Sequence, residues 1–151
     1  MHELIISYRI DTTDEHIVEA HLRACDTRFM SLSADADALP AYAKKLATRA
    51  RRCEAWAGKV LVGLVALYCN DSHSRTAFIS NVSVLPEWGG KGIATRLLCS
   101  ATELARLTGM QEIRLEVDRG NIRAIGLYRK AGYAALPGAS PAMSMARLTD
   151  T

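Results

Sequence analysis

Residues 81–98 read NVSVLPEWGGKGIATRLL, in which the residue types succeed one another as a strand, a stop, a glycine-rich turn and a helix. Ala77 to Leu85 suit a strand, and Pro86, which lacks an N–H for the ladder, ends it. Beyond the GGKG turn, Ile93, Leu97, Leu98, Ala101, Leu104 and Ala105 share one helical face, and Gly109 supplies the C-terminal cap. A turn of this kind aims consecutive backbone N–H groups at one point beside the positive end of a helix, which creates a site for pyrophosphate. Glycine is required because a side chain would keep phosphate oxygens away from the backbone. The nucleoside-triphosphate loop, with GKS or GKT after four spacers, is absent, and so is the dinucleotide GxGxxG pattern. A purely structural turn would read the same way, so the segment alone leaves both readings open.

Upstream, Leu4 to Ile10 predict a first strand. Val18, Leu22, Cys25 and Phe29 recur at helical spacing behind the acidic start Asp11 to Glu15. Ser31 to Asp37 form a turn-rich connection to a second helix with Leu39, Tyr42, Ala43, Leu46 and Ala50 on one face. Its other face is assigned Lys44, Lys45, Arg49, Arg51 and Arg52, a solvated cationic face whose alternative reading is a nucleic-acid surface. Glu54 to Ala57 lead to a turn at Gly58 and Lys59. VLVGLVALY, Val60 to Tyr68, is apolar without alternation, as expected of a strand covered on both faces. Downstream, Ile113 to Val117 predict a short buried strand. Asn121 predicts the N-cap of a helix with Ala124, Leu127, Tyr128 and Ala131 inward, and Gly132 closes it. Gly138 and Pro141 divide the remainder into two terminal strands. The result is an α/β mixed sheet with helices on both faces, in a single domain spanning residues 1–151.

The turn is followed, one helix later, by IRLEVDRGNIRAIGLYRKAGY, Ile113 to Tyr133. Together these segments resemble the GNAT acyltransferase superfamily. The coenzyme A loop of that family has the form Arg or Gln, two residues, Gly, one residue, Gly or Ala, and reads here as GGKGIA, Gly89 to Ala94. The resemblance continues through Leu115, Glu116 and Val117 into Asn121, Ala124, Ile125, Leu127, Tyr128, Gly132 and Tyr133, and covers about Val60 to Tyr133. It implies a central, mixed but largely antiparallel, splayed sheet of about six to seven strands. One position departs from the pattern: Gly89 stands where the family usually has Arg or Gln.

The resemblance implies acetyl-coenzyme A as co-substrate and no metal. Gly89, Gly90, Gly92, Ile93, Ala94 and Thr95 would hold its phosphates through backbone amides, with Lys91 adding charge at the rim. Val82, Ser83 and Val84 would pair with the pantetheine arm, and Asn121 and Ala124 would lie near it. Tyr128 matches the tyrosine that protonates the leaving sulfur, and a phenol with an ordinary pKa of ~10 stays protonated at neutral pH. By spacing alone, Tyr128 reads as an inward aromatic on an amphipathic helix, and only the matched motif favours the catalytic role. An ammonium with a pKa of ~10.4 must lose a proton before it attacks, and Glu116, flanked by apolar neighbours, is the first candidate base. A carboxylate paired with Arg, or proton movement through water, are its alternatives. Asp71 and His73 lie in a loop, as solvated turn residues or within reach of substrate. Arg28 to Ser33 are assigned to the substrate mouth, where their apolar character favours a small amine acceptor such as an amino sugar or amino acid.

Composition sets the limits. The excess of 19 Lys and Arg over 16 Asp and Glu is too even for a nucleic-acid arm, so no polymer partner is nominated. Cys25, Cys53, Cys69 and Cys99 stand singly in apolar segments, which predicts buried reduced thiols and no zinc site. The N-terminus lacks a basic n-region, and no run approaches the ~18 apolar residues of a membrane span. A cytoplasmic protein without membrane attachment is expected. Pairing of terminal strands into a homodimer is implied by the resemblance alone. Two functional classes stand: an N-acetyltransferase acting on a primary amine, and a non-catalytic acyl-coenzyme A sensor on the same fold.

Overall fold

The computed structural model describes residues 5–25 and 38–150. Leu4, Phe29, the Ser31–Asp37 connection and the assigned mouth Arg28–Ser33 lie outside the described residues. In chain order the elements are β1 (Ile6–Ile10), α1 (Glu15–Ala24), α2 (Leu39–Arg49), β2 (Arg51–Ala57), β3 (Val60–Tyr68) and β4 (Thr76–Val84). After a 3-10 turn (Pro86–Trp88) come α3 (Ile93–Leu107), β5 (Glu112–Asp118), α4 (Ile122–Lys130), β6 (Ala134–Ala135) and β7 (Ala142–Leu148). One sheet of seven strands runs β1-β2-β3-β4-β5-β7-β6, antiparallel at every pairing except β4 with β5. The mixed, largely antiparallel sheet expected from the sequence is therefore present.

Each face is covered by helices for a reason visible in its side chains. On one face Val18 and Leu22 of α1 and Leu39, Ala43 and Leu46 of α2 pack on Trp56, Leu61, Leu64 and Ala66. On the other, Ile93, Leu97, Leu98 and Ala101 of α3 join Val65, Leu67, Ile79 and Ile113, with Ala124 and Tyr128 of α4 in the same core. Helical period brings the apolar residues of each helix to one stripe, and burial of those stripes against the sheet stabilises the fold.

Two readings are corrected here. Arg51 and Arg52 belong to β2 and not to the basic face of the second helix. Arg52 is buried, donating to the Ala50 carbonyl at 2.8 Å and to Thr13 Oγ1 at 2.8 Å. Beside it Glu54, with no exposed surface, accepts from the backbone N–H groups of Thr12 and Thr13, from the Thr13 hydroxyl at 2.8 Å and from Trp56 Nε1 at 3.3 Å. This network fastens the β1–α1 connection to β2, because buried charges persist only where partners replace water. Second, the four cysteines are free, but Cys69 is half-buried and Cys99 exposed, since Cys99 lies on the solvent face of α3.

Two register shifts shape the middle of the sheet. Between β2 and β3, Ala55 faces Gly63 while Trp56 faces Leu61, which leaves Val62 as the extra residue. Between β3 and β4, Asn81 faces Ala66 while Ile79 faces Leu67, which leaves Ser80 as the extra residue. A bulge reverses the alternation beyond it. Val82 and Val84 therefore join Ala77 and Ile79 on the α3 side, whereas Ser83 meets α1.

Candidate active site

β4 and β5 pair through only three positions, Thr76–Phe78 with Glu112–Arg114, after which β5 follows β7 along its whole length. The strands consequently part toward their C-terminal ends. Between them opens a cavity of about 950 Å³, walled by Val82–Leu85, by the turn into α3, by Glu116–Asp118 and by α4. Every cofactor and catalytic position expected from the sequence lines it except Lys91, which is exposed.

The turn has the required backbone. Gly90 and Gly92 sit at φ +72° and +79°, in the left-handed region that only glycine occupies without strain. Gly92 is the N-cap of α3 and contributes no side chain, so the first-turn amides of Ile93, Ala94 and Thr95 have no capping side-chain acceptor. Those amides and the positive end of a 15-residue helix face the cavity. At Gly89 the missing family side chain has a neighbour in its place: a Cβ there would lie 3.7 Å from the Arg123 guanidinium, and Arg123 also lines the cavity.

On the facing wall, Tyr128 is buried in α4 and meets Tyr133 edge to face with ring centroids 6.2 Å apart. Burial pushes its hydroxyl up to about 12, so the phenol is protonated throughout the neutral range. Asn121 Oδ1 accepts from Ala124 N–H at 3.2 Å as the N-cap, and the residue lines the cavity. Glu116 lines the cavity as well, but β5 alternates and its side chain is exposed, so the burial expected to make it a base is missing. Asp71 and His73 are absent from the lining; Asp71 Oδ1 accepts from Ser74 N–H at 3.1 Å in an exposed turn.

Residues 16–133 match the acetyltransferase (GNAT) family. The chain belongs to the GNAT family. Among its relatives is a spermidine N(1)-acetyltransferase of Escherichia coli strain K12, 36% identical over 74 residues, which are 48% of this chain and 39% of that protein. The chain spans less than half the length of the curated relatives it matches. Its fold is that of a GNAT protein from Desulfovibrio desulfuricans, with TM-score 0.80 at 16% identity over 96% of this chain and 99% of that one. It is also that of the PaiA N-acetyltransferase from Thermoplasma acidophilum, a structure determined in complex with coenzyme A, with TM-score 0.73 at 17% identity over 94% and 99%.

This GNAT chain carries further cavity groups that sequence reasoning missed. Arg123, Asp118 and Lys130 lie on the α4 and β5 walls, and Trp88 follows the strand stop. On the α1 side Cys25 lines the cavity, and behind it His21, 4% exposed, spans from α1 to the sheet. Its Nδ1 lies 2.9 Å from the Leu61 carbonyl and its Nε2 2.9 Å from Ser83 Oγ. The signal was available: positions 18, 21, 22 and 25 make the i, i+3, i+4, i+7 stripe of an inward face, and a histidine on that stripe must find polar partners.

Among the described residues, no group of His, Cys, Asp and Glu is arranged to hold a metal ion, and no helix is long and apolar enough to cross a membrane.

Proposed function

We propose that this protein is an acetyl-coenzyme A dependent N-acetyltransferase whose acceptor is the primary amine of a small metabolite. One observation carries the reading: a single cavity joins an uncapped helix N-terminus on a glycine turn to a buried, protonated tyrosine on the opposite wall. The amides of Ile93, Ala94 and Thr95 suit a pyrophosphate, and Arg123 provides a cation where Gly89 has no side chain. Beyond the three paired positions, the edge of β4 that faces β5 has no strand partner along Val82–Val84 among the described residues. Its backbone groups can bind an extended pantetheine arm as a neighbouring strand would, and an N–H there stabilises the oxyanion that develops on the thioester carbonyl. Tyr128 then donates its hydroxyl proton to the departing sulfur. The relatives whose names state an amine acceptor, the spermidine enzyme among them, support an amine here. The free thiols fit a reducing compartment, on which ground the cytoplasm is the proposed location.

The test is calorimetric titration with acetyl-coenzyme A, followed by thiol release against spermidine, glucosamine, lysine and an N-terminal peptide amine. Binding with release for one small amine is expected. An absence of binding overturns the assignment, release for the peptide alone overturns the small-acceptor part, and binding without release from any amine makes the protein a sensor.

A further inference from the structure

The carbonyl of Leu61 can only accept, so His21 Nδ1 carries the proton of that 2.9 Å bond and the neutral ring offers Nε2 as an acceptor. Ser83 Oγ, 2.9 Å away, donates to it. Asn81 Nδ2 donates to the same Oγ at 2.8 Å and to the Leu64 carbonyl at 3.3 Å. A hydroxyl has one proton and two lone pairs. The proton of Ser83 is directed to His21 and one lone pair is used by Asn81; the Cys25 thiol, a weak donor, also reaches Ser83, and because Ser83 lines the cavity an acceptor amine takes the thiol's place on the second lone pair. The chain Leu61 carbonyl, His21, Ser83 thus ends at the acetyl-transfer cavity with an acceptor site on its last atom.

We propose that Ser83 and His21 form the proton relay that deprotonates the acceptor amine, Ser83 Oγ receiving the amine proton and His21 Nε2 holding the one it displaces. The inference rests on the N-acetyltransferase reading above and names the base that reading lacks. An ammonium N–H donates to the second lone pair of Ser83 and its proton passes to Oγ, while the hydroxyl proton passes to Nε2. The resulting imidazolium keeps its Nδ1–H bond to Leu61. The free amine then forms the C–N bond, the C–S bond breaks, and the sulfur takes the Tyr128 proton. The second N–H proton, lost as the amide forms, restores Tyr128 through water. The one proton left on His21 returns to solvent when the products leave, matching the single proton released when an ammonium becomes an amide.

The surroundings favour this role over two other groups. Burial holds His21 below its ordinary pKa, so the ring is neutral and able to accept at pH 7. Cys25, with Sγ 3.4 Å from Nε2, is pushed up to about 11 by burial and stays a thiol, which removes it as base or nucleophile. Glu116 stands on the far wall, exposed. Facing His21 are Cys25 from α1, Asn81 from β4, Ser83 from β4 through both its hydroxyl and its backbone, and the Leu61 carbonyl from β3. The charge of Glu87, in the turn after β4, reaches the cluster through Cys25, while α2 presents Tyr42, whose hydroxyl is bonded to Ser80.

The test compares the full-length protein with H21Q and S83A, measuring kcat/KM from pH 5 to 10 with acetyl-coenzyme A and whichever amine of the panel is turned over. Acetyl-coenzyme A affinity, thermal unfolding and the imidazole nitrogen resonances are measured alongside. Removing a general base lowers kcat by about a hundredfold. That loss is expected in both variants, with acetyl-coenzyme A affinity unchanged within threefold and with the acidic limb below pH 6.5 lost from the profile. The resonances should show Nδ1 protonated and Nε2 bare at pH 7, a readout that needs no acceptor. Variants that lose thermal stability but keep the wild-type kcat and pH profile would make the cluster structural and overturn the relay. A ring protonated at Nε2 overturns it too, as does an acetyl-Ser83 ester caught by acid quench, which would make Ser83 a nucleophile. Failure of the wild type to bind acetyl-coenzyme A overturns the proposed function instead.

Discussion

At the scale of single residues, the proposed site divides into a group assigned to donate a proton and groups assigned to hold an anion. Tyr128 is kept in its acid form by burial, with its hydroxyl up at about 12. Tyr128→Phe keeps the ring contact with Tyr133 and removes only the proton. We expect kcat to fall by about a hundredfold, as for loss of a general acid, with coenzyme A affinity unchanged; normal turnover in steady-state kinetics would end the assignment. Arg123 takes the region that an Arg or Gln at position 89 would have supplied. Its guanidinium is exposed, so its contribution is screened. Arg123→Ala should weaken coenzyme A binding by roughly tenfold in low salt and by less as salt is raised, as titration at two ionic strengths will show. The arginine was invisible to motif reading because it stands 34 positions from Gly89, and only the approach of α4 to the turn brings the two together.

At the scale of elements, α3 is placed by a glycine in the strand beneath it. A Cβ at Gly63 would come within 2.9 Å of Ile93 Cγ2 and 3.0 Å of Leu97 Cδ1, so the helix whose N-terminus is proposed to hold the pyrophosphate lies directly on β3. Gly63→Val should displace α3, cost about 1–3 kcal/mol as overpacking does, and weaken acetyl-coenzyme A binding together with stability. Chemical denaturation and calorimetry measure the two effects; a stable variant with full affinity would show that α3 tolerates the shift. Most elements were legible in the sequence because their apolar period is strong: β3 was bounded as Val60–Tyr68, and the inward faces of α3 and α4 agree with the residues named in advance, except that Leu127 and Ala131 are only half-buried. Arg51 and Arg52 were misplaced because a cationic helix end and the start of a strand carry the same residue types. Glu116 was misjudged because Leu115 and Val117 are buried on the side of β5 opposite to it, and a short apolar window does not reveal which face is covered.

For the molecule as a whole, the buried histidine links folding to pH. His21 is held below its ordinary pKa of 6.5, so near pH 6 the unfolded chain binds more protons than the folded one and stability rises with pH. The contribution is complete above about pH 6.5, the unfolded value, and is lost progressively as pH falls below it. Melting temperature should therefore decline from pH 7 to pH 5, with a smaller slope in H21Q; equal slopes would show that other groups set the acid limb. The sequence by itself determined the order of strands and helices apart from β2, the glycine turn ahead of α3 and the tyrosine on α4, because periodicity, proline and glycine act locally on the backbone. Only the tertiary structure decided where β4 and β5 part, which depends on how few positions they share. It also decided that a bulge at Ser80 turns Ser83 toward His21, and that Arg123 reaches Gly89. Those relations depend on register and on packing between distant segments, and no local pattern encodes them.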